Sequence, residues 1–159
     1  MQTVRDADGE THLLVKRSAE SSRVRDPVTG EERYVDNGDL TVVEGESPLA
    51  TAASGVPAPV RRVLRAVHDD RSLGLLAVLV DSGPTPVTDL LDATDLCESD
   101  LHGTVTEFRA AGLVAEADVD GRRGYEATDV AVEAIGLLRG DRSTDGASSE
   151  SRPVGDGGA

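Results

Sequence analysis

Residues 87–125, VTDLLDATDLCESDLHGTVTEFRAAGLVAEADVDGRRGY, decide how the rest of the chain is placed. The spacing of apolar residues predicts two helices. In the first, Val87, Leu90 and Leu91 fall three and four residues apart and share a buried side. Asp95-Leu96-Cys97 supplies a turn. In the second, Leu101, Val105 and Phe108 stand at i, i+4 and i+7 and line one face. Gly112 is placed to take the left-handed conformation that ends a helix, and Leu113 to drop back into the core. Two extended runs follow, 114–119 and 123–127. Asp120-Gly121 lies between them, a pair suited to a tight hairpin turn.

Working outward, the flanks supply more helices. Pro59 suits a first helical turn, and Val60, Val63, Leu64 and Val67 form an apolar stripe behind it. Ser72 is placed to cap a further helix with Leu73, Leu76, Leu79 and Val80 inward, ended by Asp81-Ser82-Gly83-Pro84. Thr85-Pro86 is a short extended link. After the hairpin, Thr128 can cap a last helix carrying Val130, Ala134, Leu137 and Leu138. Helix, turn, helix and hairpin together have the order of a winged helix-turn-helix, here spanning residues 60–139. Residues 140–159 are polar and low in complexity, so a disordered acidic tail is predicted.

The front of the chain has a different texture. Short runs at 3–6, 11–17, 23–25, 33–35 and 40–43 alternate with turn signals such as Asp8-Gly9, Asp26-Pro27-Val28-Thr29-Gly30 and Asn37-Gly38. They predict an antiparallel β-meander over 1–44, too small to be stable unaided. It is expected to lean on the helical part or on a second copy, and it is a candidate surface for a protein partner. Residues 45–59 are small and breaker-rich and read as a linker, with room for one helical turn at 49–53. The expected class is therefore α+β: a small N-terminal antiparallel β-meander, then the winged helix-turn-helix, then the tail.

The formal net charge of the 159 residues is −14. Lys16 is the one lysine against many arginines, and Tyr34, Phe108 and Tyr125 are the only aromatics. This acidic, lysine-poor composition resembles that of proteins from salt-in halophiles, whose carboxylates hold water and salt at the surface. Cys97 stands alone, which excludes an internal disulfide and fits a reducing cytoplasm. No run approaches the ~18 apolar residues of a membrane span. The start, MQTVRDADGE, lacks the apolar core of a signal peptide. A cytoplasmic protein with no membrane association is expected.

Over residues 72–139 the chain resembles winged-helix regulators of the MarR and ArsR type. The matching positions are Cys97 as a small polar cap, then Leu101, Val105 and Phe108, then the closing Gly112-Leu113-Val114. Tyr125-Glu126-Ala127-Thr128 resembles the step that leaves the wing and caps the last helix. The front half, with VKRSAESSRVRDPVTGEERYV, resembles the N-terminal part of haloarchaeal proteins that join a β-meander to such a domain.

The resemblance implies a homodimeric transcriptional regulator that reads double-stranded DNA. Its second helix would enter the major groove, presenting Glu98, Ser99, His102, Gly103, Thr106 and Arg109. Arg122 and Arg123 at the wing would sit on phosphates or in the minor groove. Charge argues the other way. Between residues 87 and 127, Arg109, Arg122 and Arg123 face ten carboxylates, a net of 3 − 10 = −7. Most DNA-binding domains are basic there, because neutralising phosphates supplies much of the affinity. A protein-interaction adaptor on the same fold is thus the alternative.

Enzyme chemistry finds no support. His12, His68 and His102 are far apart and none has a metal-ligand neighbour four residues on. His68-Asp69-Asp70 reads as a helix end. Cys97 has no activating motif, so a cap or small core role outweighs redox sensing. There is no phosphate-binding glycine loop. No cofactor, metal or catalytic residue is expected. The remaining basic groups, Arg23 with Arg25 and Arg61 with Arg62 and Arg65, read as solvated faces, with a second nucleic-acid contact as the other reading for the first pair.

Overall fold

A computed structural model describes residues 1–140. The tail expected to be disordered lies outside the described residues, apart from Gly140. The fold is α+β, with an N-terminal antiparallel sheet followed by a mainly helical unit.

The sheet contains β1 (Gln2–Arg5), β2 (Thr11–Arg17), β3 (Ser21–Arg25), β4 (Glu32–Asp36) and β5 (Thr41–Val42), with a single 3₁₀ turn, Asn37–Asp39, before β5. The strand order is β4-β3-β2-β1-β5, so the last strand returns to pair with the first. Carboxylates shape the turns. Asp6 Oδ1 accepts from the backbone N–H of Asp8 and Glu10, and Asp26 Oδ1 from those of Val28 and Thr29. These bonds hold both Asp carboxyls below their usual range. For Asp26 the backbone N–H of Thr29 is the leading cause, whereas for Asp6 it is His12. Val4, Leu14 and Val24 form a small buried cluster, joined by Val35, Leu40 and Val42.

Within the stretch read as linker lies a two-turn helix, α1 (Pro48–Ser54), longer than the single turn expected. It packs on β1 and β2, burying Thr51, whose hydroxyl meets that of Thr3 at 2.7 Å. Small residues read as linker-like because a helix of Ala, Thr and Ser needs little apolar bulk when its mate is a flat sheet.

The helical unit contains α2 (Ala58–Ala66), α3 (Asp70–Ser82), β6 (Thr85–Pro86), α4 (Val87–Ala93), α5 (Glu98–Ala110), β7 (Val114–Val119), β8 (Arg122–Ala127) and α6 (Asp129–Leu138). β7 and β8 form the hairpin, and β6 adds to its edge, giving the order β6-β8-β7. The core gathers Leu76, Leu79, Leu90, Leu101, Phe108 and Leu113, all essentially without solvent contact, around the single Phe. Gly112 (φ 72°) ends α5 as expected, and the N–H of Leu113 returns to the carbonyl of Phe108.

One inward assignment, Leu73, shifts, and two apolar stripes are only partly buried. Leu64 is 63% exposed and Ala66 is buried instead. Leu73 faces out and Leu75 in; Leu137 and Leu138 face out while Ala131 and Ile135 are buried. α3 and α6 are apolar over most of their circumference, so periodicity alone cannot choose the face and the neighbouring helices do. The cap of α3 is Asp69, not Ser72. Asp69 Oδ1 accepts from the Ser72 N–H at 2.8 Å, and Ser72 Oγ accepts from the Asp69 N–H at 3.3 Å, a reciprocal capping box. Thr128 occupies the N-cap of α6, but its hydroxyl donates to the Gly112 carbonyl and so ties α6 to the end of α5. Among the described residues no helix is long and apolar enough to cross a membrane.

Candidate nucleic-acid interface

The burial of Leu101, Val105 and Phe108 forces the rest of α5 outward. Glu98, Ser99, His102, Gly103, Thr106 and Arg109 are all exposed. Cys97 caps the helix, with its Sγ accepting from the Asp100 N–H at 3.4 Å. Thr106 spends its hydroxyl donor on the His102 carbonyl at 2.7 Å, leaving its methyl and oxygen lone pairs outward. The hairpin turns through Asp120 (φ 52°) and Gly121 (φ 79°), steadied by the Gly121 N–H donating to Asp118 Oδ1. That turn sets Arg122 and Arg123 at the start of β8.

Between α5, the start of α4 and β8 runs a groove of about 650 Å³. Glu98, Ser99 and His102 form one wall, and Arg122 and Arg123 the other. Val87, Leu101 and Tyr125 give it an apolar floor, and Thr88 stands at its edge. Five of the eight expected site residues therefore converge here. Gly103 instead lines a smaller hollow beside Ser72 and Glu107. Thr106 and Arg109 lie farther along α5.

Sequence reading missed the partners of the arginines. Arg122 pairs with Asp89 of α4 at 3.2 Å. Arg123 and Arg109 both reach Glu116 of β7, at 2.8 and 3.3 Å. Asp89 and Glu116 count only as excess acid in the sequence; their roles depend on α4 and β7 folding alongside β8. All these groups are about half exposed, and such pairs contribute roughly 0–1 kcal/mol each. They neutralise the hairpin locally.

A second cluster also escaped the sequence. Asp6, Glu10 and His12 bring candidate ligand atoms within 4.8 Å of one another. A search for partners four residues from each histidine on a helix overlooks them, because they meet across the β1–β2 turn.

No curated protein and no solved structure matches the chain. A family of unknown function, DUF7346, matches residues 1–139, which takes in both the sheet and the whole helical unit, and the chain belongs to that family.

Proposed function

We propose that the helical unit is a sequence-selective DNA-binding module of a cytoplasmic transcriptional regulator, without enzymatic activity, akin to the MarR and ArsR type. The observation that carries this reading is the groove, with an uncovered helix face of small and polar side chains on one wall and two wing arginines on the other. Ser99, His102, Gly103 and Thr106 are short enough for α5 to approach base edges closely, and His102 and Ser99 offer hydrogen-bonding groups there. Arg122 and Arg123 would trade Asp89 and Glu116 for phosphates. The acidity of the surroundings weighs less in concentrated salt, where phosphate neutralisation adds little in any case.

Two copies would present two such helices to half-sites about one DNA turn apart. α2 and α6 pack on each other and leave Leu64, Val132, Leu137 and Leu138 exposed, which suits pairing of chains through these helices.

Selection of bound sequences from a random duplex pool in molar KCl tests the proposal. Arg122→Ala with Arg123→Ala should weaken all duplexes alike and flatten the salt dependence. His102→Ala or Thr106→Ala should instead change the preferred sequence, at about 1–3 kcal/mol per lost base contact. A wild type that enriches no sequence would retire the regulator reading.

A specific observation favours a second reading, an adaptor that binds protein. Each arginine of the interface already has a carboxylate partner, as expected of a surface that presents a balanced polar pattern rather than a bare cationic one. Under that reading the same substitutions leave DNA retention unchanged and abolish binding of a defined protein partner.

A further inference from the structure

Outside the groove, the most unusual chemistry sits at the β1–β2 turn. His12 is 2% exposed and faces Arg33 across β2, β3 and β4, on the side of the sheet that carries Val4 and Val24. Its Nε2 lies 2.8 Å from Asp6 Oδ2 and 3.2 Å from Arg33 Nη2. Arg33 Nη2 is also 2.8 Å from the same Asp6 oxygen. His12 Nδ1, fully buried, has no hydrogen-bond partner.

No proton placement satisfies this ring. With the proton on Nε2, the bond to Asp6 forms, but Nε2 then opposes the N–H of Arg33 and a bare Nδ1 lone pair stays buried. With the proton on Nδ1, Nε2 accepts from Arg33 Nη2 while lying against the Asp6 carboxylate, and the Nδ1 N–H is buried without an acceptor. Buried polar groups left in this condition are uncommon and costly. A cation beside Nε2 and Asp6 Oδ2 would take a lone pair from both atoms at once, with the imidazole proton kept on Nδ1.

The surroundings select a cation. The hollow next to His12, about 720 Å³, is lined by five carboxylates, those of Asp8, Glu10, Asp26, Glu31 and Glu32, against the single arginine Arg33. Asp6 itself is only 5% exposed at its side chain, whereas that of Arg33 is 56% exposed and free to swing outward. Arg33 Nη2 touches the two atoms that an ion would bridge.

We propose that this turn binds a divalent first-row transition ion through His12 Nε2, Asp6 Oδ2 and a carboxylate oxygen of Glu10, with Arg33 as the cation that stands in its place otherwise. One imidazole with two carboxylates is a donor set for Zn²⁺ or Mn²⁺ rather than for the hard ions Ca²⁺ and Mg²⁺, which favour oxygen alone. Tetrahedral ligands at about 2.1 Å from zinc lie about 3.4 Å apart. His12 Nε2 and Asp6 Oδ2, 2.8 Å apart as a hydrogen-bonded pair, would part slightly around the ion, and the exposed Glu10, its ligand atom within 4.8 Å of both, would close on it by a change of rotamer.

The test is thermal melting and calorimetric titration of the EDTA-stripped full chain in molar KCl, with Zn²⁺, Mn²⁺, Ca²⁺ and Mg²⁺ in turn. Zn²⁺ or Mn²⁺ should raise the melting temperature and bind one per chain. Glu10→Gln, at an exposed position, should weaken that binding at least tenfold, and His12→Gln should abolish it. Arg33→Gln gives a result of opposite sign: less stable without metal, yet several-fold tighter for the ion, because its competitor is gone. Absence of binding by the wild type would overturn the proposal. So would an equal response to Ca²⁺ and Mg²⁺ that survives Glu10→Gln, or an Arg33→Gln variant that binds no tighter.

Discussion

Gly124 of β8 and Gly103 of α5 make opposite demands. A β-carbon on Gly124 would stand 2.3 Å from the Thr85 carbonyl oxygen and 2.9 Å from the Pro86 Cα, because β6 pairs with β8 at that point. A β-carbon on Gly103 meets nothing within 4 Å. Gly124→Ala should therefore cost about 1–3 kcal/mol, since the contact is with backbone that cannot yield. Gly103→Ala should be neutral or stabilising by up to roughly 1 kcal/mol, as Ala is the better helix former. Chemical denaturation of the two variants measures both. If α5 reads DNA, the added methyl of Gly103→Ala should also alter binding with no loss of fold, so a stable variant with unchanged sequence preference would place Gly103 off the contact surface. The glycine pattern of the sequence distinguishes neither case, because Gly124 is required by a strand more than thirty residues away.

At the level of elements, the amphipathic spacing of α5 and the turn pair of the hairpin could be read directly, because each is fixed by neighbours in sequence. Leu101, Val105 and Phe108 have polar residues around them, so only one face of the helix can be buried. α3 offers no such contrast, and whether Leu73 or Leu75 turns inward is decided by α6 and β8. The same limit hid the metal-ligating candidates and the partners of the hairpin arginines, all of which meet through strand pairing or helix docking. The start of α3 shows how a cap is chosen among competing polar residues. Asp69 wins over Ser72 because its carboxylate accepts from the Ser72 N–H while Ser72 Oγ returns the bond. The backbone bond from Ser72 is also the main cause that holds the Asp69 carboxyl below its usual value of 3.8, followed by the side-chain bond from Ser72. A carboxyl lowered by folding contributes stability above its unfolded value and loses it as pH falls through the lowered one. Asp69→Ala should therefore lower the melting temperature by a few degrees at neutral pH. The deficit should shrink below about pH 4, where the wild type loses the same contribution. A deficit that stays constant down to pH 2 would show that the cap acts without its charge.

The molecule as a whole carries −14 and holds two separate apolar clusters, one in the sheet and one in the helical unit. Neither is large, and self-repulsion of the surface works against both. Melting temperature should climb as KCl rises from tenths of molar to molar, beyond the point where simple screening of ~3 Å Debye length is complete. A plateau below 1 M would indicate screening alone and no special adaptation to salt. Light scattering in the same buffers should give twice the chain mass at micromolar concentration if α2 and α6 pair, and a single chain mass would remove the two-half-site arrangement. The join between the halves adds one more consequence. A β-carbon on Gly55 would fall 1.8 Å from the Pro27 carbonyl oxygen, so the backbone leaving α1 is threaded against the β3–β4 loop. Only Val56 and Pro57 then separate this pinned point from α2. In terms of modularity, the front half cannot be exchanged at the boundary where its strands end: a chimaera cut before Pro48 strips the sheet of its lid, whereas one cut after Gly55 carries a finished piece, and the portable unit is the sheet with its helix.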